Sequence, residues 1–255
     1  MLTSLANERV RYARSLQRER VRTRDRRFLI EGTRLVEEAL RAGVRPVLAF
    51  YTQRLAASER GRALLEQLET ASDAILPVTP AVMATLSETV TPQGVLAVVP
   101  MSEAPLPAHG LLLVLDSLRD PGNVGTILRT AWAAGAGGVV VSRGTVDPYA
   151  PKVVRSAMGA HFHLPLRAGV GAVELASMLN GRQAFLADQH GRPYWQVDWR
   201  GDRALIIGGE ARGSEVAAPL AQVRVAVPMV GGVESLNAAV AAGVLLFEAL
   251  RQRMG

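Results

Sequence analysis

Asn123, Gly125 and Arg129 stand at the spacing Asn-x-Gly-x-x-x-Arg inside the segment Asp116-Ser-Leu-Arg-Asp-Pro-Gly-Asn-Val-Gly-Thr-Ile-Leu-Arg129-Thr-Ala. A primary amide donates and accepts hydrogen bonds at once, and a guanidinium is a permanent planar cation. Together they suit an anionic, hydrogen-bonding substrate. Two further glycine-rich stretches carry polar groups. They are Gly208-Gly-Glu210-Ala-Arg-Gly213 and Val227-Pro-Met-Val-Gly-Gly-Val-Glu-Ser235-Leu-Asn237. Singly, each looks like any loop. Three of them, each directly after an apolar run, supply three ligand loops with polar residues on all of them.

Those loops need a scaffold that brings them to one edge. The run Leu111–Leu115 predicts a buried strand. Pro121, Gly122 and Gly125 predict a sharp turn at its carboxyl end, and Thr126–Ala134 a helix. Ala204–Ile207, within a strand over Arg203–Ile207, and Val223–Val227 precede the other two turns. Further strands are expected at Gly138–Ser142, His161–Leu166 and Gln183–Asp188, with helices between them and a last helix over Ser235–Arg253. Strands alternating with helices predict a parallel α/β sheet, which binds ligands at the carboxyl ends of its strands. Residues 1–100 begin with a basic helix. Phe28–Gly32, Val44–Tyr51, Ala74–Val78 and Val95–Val99 then read as strands, and Thr33–Ala42, Glu59–Thr70 and Pro80–Glu88 as helices. That is a smaller α/β domain. Pro100–Gly110 is proline-rich and aperiodic, as a linker would be. The division is therefore 1–100, a linker over 101–110, and 111–255.

With 255 residues, 49% hydrophobic and 20% charged, the chain can bury a core as one large or two ordinary domains. Ala238–Phe247 is the longest apolar stretch near the C-terminus and stops at Glu248, too short to span a bilayer. Arginines follow Met1-Leu-Thr-Ser-Leu-Ala, so no secretory signal is expected, and a cytoplasmic protein without membrane contact is. Without cysteine there are no disulfides, cysteine nucleophiles or thiolate metal sites. Residues 1–30 hold nine arginines against Glu8, Glu19 and Asp25, a net +6 that equals the charge of the whole chain. Such an excess is a footprint for nucleic acid, although a solvated helical arm would look the same. Arg22, Arg24, Arg26 and Arg27 are its expected RNA contacts. There is no P-loop and no G-x-G-x-x-G after a strand. His161 and His163 would alternate on a strand as structural residues, and no metal site is expected.

The three turns, in this order and on these strands, resemble the three motifs of the SpoU (TrmH-type) RNA ribose 2′-O-methyltransferases of the SPOUT superfamily. The likeness covers residues 111–255 and includes Val153–Leu166. Residues 1–100, through Phe28–Gly32 and Leu35–Leu40, resemble that family's N-terminal RNA-binding domain, akin to certain ribosomal proteins. The resemblance implies a C-terminal trefoil knot, an obligate homodimer and S-adenosyl-L-methionine held largely by backbone groups. The matching positions are Gly208, Val227 and Leu236, with Gly209, Glu210, Pro228 and Met229 adjacent. It implies methyl transfer to a ribose 2′-OH of structured RNA, ribosomal RNA ahead of transfer RNA. A non-catalytic ribosome-assembly factor is the contrasting reading, and the intact polar set argues against it. In that set the resemblance gives Arg129 the central role, as base or as clamp. A guanidinium keeps its proton up to a pKa above ~12, which favours a clamp on the target phosphate that acidifies the 2′-OH, with the phosphate or a water taking the proton. Asn123 would orient the ribose or Arg129. Glu210 would contact the ribose, hold Arg129 or cap a helix. Ser235 and Asn237 would bind substrate, or Ser235 would cap the last helix, inside which Asn237 is expected to fall.

Overall fold

The computed structural model describes residues 1–209 and 214–255. Two compact units emerge: Met1–Met101 with Tyr149–Phe162, and Ser102–Pro148 with His163–Gly255.

The first unit opens with α1 (Glu8–Ser15) and α2 (Glu19–Asp25). Asn7 starts α1 by accepting from the backbone N–H groups of Arg9 and Val10. Then come β1 (Arg27–Glu31), α3 (Thr33–Arg41), β2 (Leu48–Tyr51), α4 (Gln53–Ala56), α5 (Glu59–Ala71), β3 (Ile75–Pro77), α6 (Pro80–Leu86) and β4 (Val95–Pro100). The sheet order is β1-β4-β2-β3. β4 runs antiparallel to both neighbours, and β2 is parallel to β3. Val10, Leu16, Phe50, Met83, Leu96 and Val98 form part of one buried cluster there.

The second unit begins with β5 (Leu111–Asp116), α7 (Pro121–Ala133) and β6 (Gly138–Ser142). The chain then enters the first unit as α8 (Pro151–Ala157), which packs on β1. The rings of Tyr149, His161 and Phe162 lie 5.0, 5.7 and 6.3 Å from that of Phe28. The sequence predicts this segment within 111–255, with a strand over His161–Leu166. Instead Ala160–Phe162 is a 3-10 turn and the strand β7 is Leu166–Val170. The alternation of histidine with apolar residues imitates a strand period, but His161 is buried among rings while His163 is exposed and stacks on Trp132 at 4.2 Å.

After β7 come α9 (Ala172–Met178), β8 (Gln183–Pro193), β9 (Arg203–Gly208), β10 (Val223–Ala226) and α10 (Ala238–Met254). The six strands, ordered β10-β8-β9-β5-β6-β7, pair in parallel throughout. Both faces of such a sheet are covered, so its central strands are uninterruptedly apolar, as Leu111–Leu115 are. β8 pairs with β10 through Leu186, then leaves the register and resumes at Arg192. Gly191 closes that excursion. A Cβ there would stand 2.5 Å from the Arg224–Val225 peptide, so no larger residue fits.

Candidate active site

The carboxyl ends of β5, β9 and β10 bring the three glycine-rich stretches together. α7 begins earlier than the sequence suggested. Asp120 caps it, its Oδ1 accepting from Asn123 N at 2.7 Å, and Pro121 fills the first turn, where its missing N–H costs nothing. Gly122 and Gly125 are therefore helical rather than a turn. Asn123 lies in the first turn of α7, and Arg129 is exposed six residues on, about 120° around the axis.

The third stretch ends in a cap. Asn237 Oδ1 accepts from Ala239 N at 2.9 Å and Val240 N at 3.3 Å, so Asn237 precedes α10 and Ser235 does not cap it. Asn237 Nδ2 donates to Asn123 Oδ1 at 2.9 Å. The first and third motifs are thus joined directly by their side chains.

Beside them opens a cleft of about 590 Å³, a size suited to a nucleoside-like ligand. Gly208 and Gly209 at the end of β9, Val227 and Met229 after β10, and Ser235 and Leu236 before α10 all line it. Ile207, Val225 and Leu245 add apolar surface, and Asp188, Arg224 and Glu234 add charge. Asp188 accepts from Arg224 at 2.6 Å, fixing the β8 excursion to β10. Glycine is obligatory at 209, since a Cβ would lie 2.3 Å from the Ser117 carbonyl oxygen. A slot with apolar walls and closely approaching backbone fits a purine and its ribose. Of the expected cofactor positions, Pro228 is exposed and outside the lining, and Glu210 lies outside the described residues. Asn123, Arg129 and Asn237 do not line the cleft either. Among the described residues no cluster of histidines and acids suits a metal ion, and no helix is long and apolar enough to cross a membrane.

Sequence reasoning missed Asp116. It ends β5 fully buried, accepting hydrogen bonds from Ser142, Ser214, Val216 and Ala217. Burial pushes its pKa up, but these hydrogen bonds outweigh burial and hold it below the ordinary carboxylate value. A lone acid ending an apolar run carries no pattern that would mark it.

The basic arm divides. Arg22 is only 4% exposed, and its Nη1 donates to the carbonyls of Leu16 and Gln17 at 2.8 Å each, where α1 ends. That corrects its place among the RNA contacts: it satisfies helix-end carbonyls. Arg24 is exposed and paired with Asp25, Arg26 is exposed, and Arg27 donates to Tyr12 Oη at 3.2 Å. Arg9, Arg11, Arg14, Arg18 and Arg20 are exposed as well.

On α10, Ala238, Ala239 and Ala242 are buried within the unit, while Ala241 and Gly243 are partly exposed. Val240, Phe247 and Met254 are exposed, at 53, 49 and 79%. Their seven-residue spacing makes one apolar stripe.

Residues 110–247 match the SpoU rRNA Methylase family, and residues 7–97 an MRM3-like substrate binding domain. The chain is 36% identical to the 23S rRNA (guanosine(2553)-2′-O)-methyltransferase RlmP of Bacillus subtilis (strain 168), over 96% of this chain and 97% of that one. It is 33% identical to a 23S rRNA (uridine(2479)-2′-O)-methyltransferase of Streptomyces viridochromogenes, over 91% and 85%. The AdoMet-bound rRNA methyltransferase of Sinorhizobium meliloti superposes with a TM-score of 0.85 at 30% identity, covering 98% of this chain and 97% of that one.

Proposed function

The chain belongs to the SpoU rRNA methylase family and is an S-adenosyl-L-methionine-dependent RNA 2′-O-methyltransferase acting on ribosomal RNA; we propose that its substrate is the large-subunit RNA and that the cleft beside the Asn123–Asn237 bond holds the cofactor. Two relatives that match over nine tenths or more of the chain are named for 23S rRNA, while another is named for tRNA/rRNA, which leaves transfer RNA as the alternative substrate. The observation that carries the site is that bond, which places the first and third motifs side by side at the sheet edge.

The cofactor supplies an electrophilic sulfonium methyl group. The chain must orient a weak nucleophile, the ribose 2′-OH, and ease removal of its proton. Gly208, Val227 and Leu236 offer backbone groups to the cofactor, and Gly209 allows the close approach. Asn123, held by Asn237, orients the ribose. Arg129 clamps the adjacent phosphate, and its charge favours the alkoxide that develops at O2′. The proton leaves to the phosphate or to a water. Ser235 faces the cleft and serves the substrate, and Glu210 is assigned to the ribose or to Arg129. Arg24, Arg26 and Arg27 contact RNA phosphates.

We infer a homodimer through the Val240–Phe247–Met254 stripe. The trefoil knot is inferred too, from membership of the family, with α10 returning from the edge strand β10 to pack against α7 and the inner strand β9. The test of function is a map of 2′-O-methyl sites in ribosomal RNA from cells with and without the gene, repeated with purified protein on 23S transcripts. A site that disappears from 23S RNA and reappears in vitro supports the reading. Sites lost only from transfer RNA or small-subunit RNA would overturn it.

A further inference from the structure

Asp116 is fully buried at the carboxyl end of the central strand β5. Its Oδ2 accepts from Ser214 Oγ at 2.5 Å and from Val216 N and Ala217 N at 2.8 Å each. Its Oδ1 accepts from Ser142 Oγ and, at 3.3 Å, from Ser117 Oγ. Every donor on Oδ2 comes from the stretch just after the second glycine motif. The opening of that motif is held by the next residue along, since Gly209 lies against the Ser117 carbonyl with no room for a side chain. Ser117 itself has φ +62°, a left-handed conformation unusual outside glycine. Consecutive residues 116 and 117 therefore grip the described flanks on both sides of 210–213. Those flanks, through Gly208, Gly209, Ser214 and Ala218, form one wall of the cleft, while Asp116 itself does not line it.

We propose that Asp116 is a positioning residue for cofactor binding: its carboxylate holds Ser214–Ala217 against β5 and so sets the wall that the cofactor meets. The proposal rests on the cleft being the cofactor site. A carboxylate is needed because each partner donates. The N–H groups of Val216 and Ala217 cannot reverse, whereas the serine hydroxyls can rotate to accept. An asparagine can thus keep its one oxygen toward the backbone donors and its amide toward Ser142 and Ser117, and should rescue in part. Alanine cannot.

The experiment is calorimetric titration of S-adenosyl-L-methionine and S-adenosylhomocysteine into the full-length protein, beside RNA binding measured without cofactor. D116A should raise Kd for both ligands by about ten-fold or more, the scale of lost charge-assisted hydrogen bonds. D116N should raise it less, and RNA affinity should hold in both. Should D116A fail to fold, S214A, which deletes one donor at a partly exposed position, should still weaken cofactor binding while S142A, on the far side of the carboxylate, does so less. A241F, which fills the cleft, tests the site itself. Weakened binding in A241F with unchanged Kd in folded D116A and S214A would overturn the proposal alone. Unchanged binding in A241F would overturn the cleft assignment and the proposal with it. Equal losses of RNA and cofactor affinity in D116A would also overturn it, because general destabilisation then suffices.

Discussion

Asn237 Nδ2 donates to Asn123 Oδ1 at 2.9 Å, joining residues 114 positions apart in the chain. The same Asn237 caps α10 with its other side-chain atom, Oδ1. One residue therefore both starts a helix and orients a neighbour, and the two tasks use different atoms. N237D and N237A test both. A carboxylate still caps, so the melting temperature should stay near that of the wild type, whereas N237A should lose about 1 kcal/mol. Alanine removes the tie outright, whereas Asn123 can turn its own amide to donate to the carboxylate of N237D, so N237A should lose methyl transfer by roughly ten-fold or more and N237D less. Normal single-turnover rates in N237A would show that the tie has no part in catalysis.

Arg129→Ala should lower single-turnover methylation by a factor of about 10² or more, the usual consequence of deleting a charge that acts in the transition state. Arg129→Lys should recover little, because an ammonium lacks the planar fork. Cofactor affinity should be nearly unchanged, since Arg129 does not line the cleft. Lost cofactor affinity would move Arg129 to a structural role.

In the arm, R24A/R26A/R27A should weaken RNA binding and flatten its salt dependence, by a slope of up to about 0.9 per lost phosphate contact. R22A should do neither. It leaves the carbonyls of Leu16 and Gln17 without their donor and should lower thermal stability, at a cost of about 1–3 kcal/mol. Filter binding across a salt series, with thermal melts, checks both. An R22A variant that melts normally but binds with a smaller salt slope would reverse the assignment.

Phe247 is half exposed in the middle of the α10 stripe. F247E should convert a full-length dimer to monomer in sedimentation equilibrium at micromolar concentration. A wild type that is already monomeric there, or a dimeric F247E, rejects the interface.

Asp116 has a folded-state pKa below the ordinary value, because its hydrogen bonds outweigh burial. Its contribution to stability is thus fully present above the unfolded value of about 3.9 and is lost as pH falls through the folded one. Urea unfolding of wild type and D116N should differ by a constant amount near neutrality and converge in the acid range. A gap that stays fixed down to pH 3 would mean that the charge contributes nothing.

The parts legible in the sequence were those with a period. Apolar runs such as Leu111–Leu115 and Ala204–Ile207 sit on β5 and β9 as expected. The start of α7 was misjudged because Pro121, Gly122 and Gly125 resemble a turn, yet an aspartate followed by proline is equally a helix start. The bond from Asn123 N to Asp120 Oδ1 decides for the helix, and residue types alone do not say whether it forms. Arg22 reads as one more arginine in a basic run, since burial of a single member leaves no trace in composition. Asp116 is invisible for the opposite reason: its five donors come from residues 117, 142, 214, 216 and 217, and no local window holds them.

The polypeptide crosses between the two units after residues 101, 148 and 162, because Tyr149–Phe162 belongs to the first. No single cut can therefore excise the catalytic half. Cleavage near residue 105 would deprive Tyr149, His161 and Phe162 of Phe28, leaving a hydrophobic tongue with nothing to lie on. Inheritance is constrained in the same way. A lineage that exchanged its amino-terminal module for another would have to rewrite these fourteen residues at the same time.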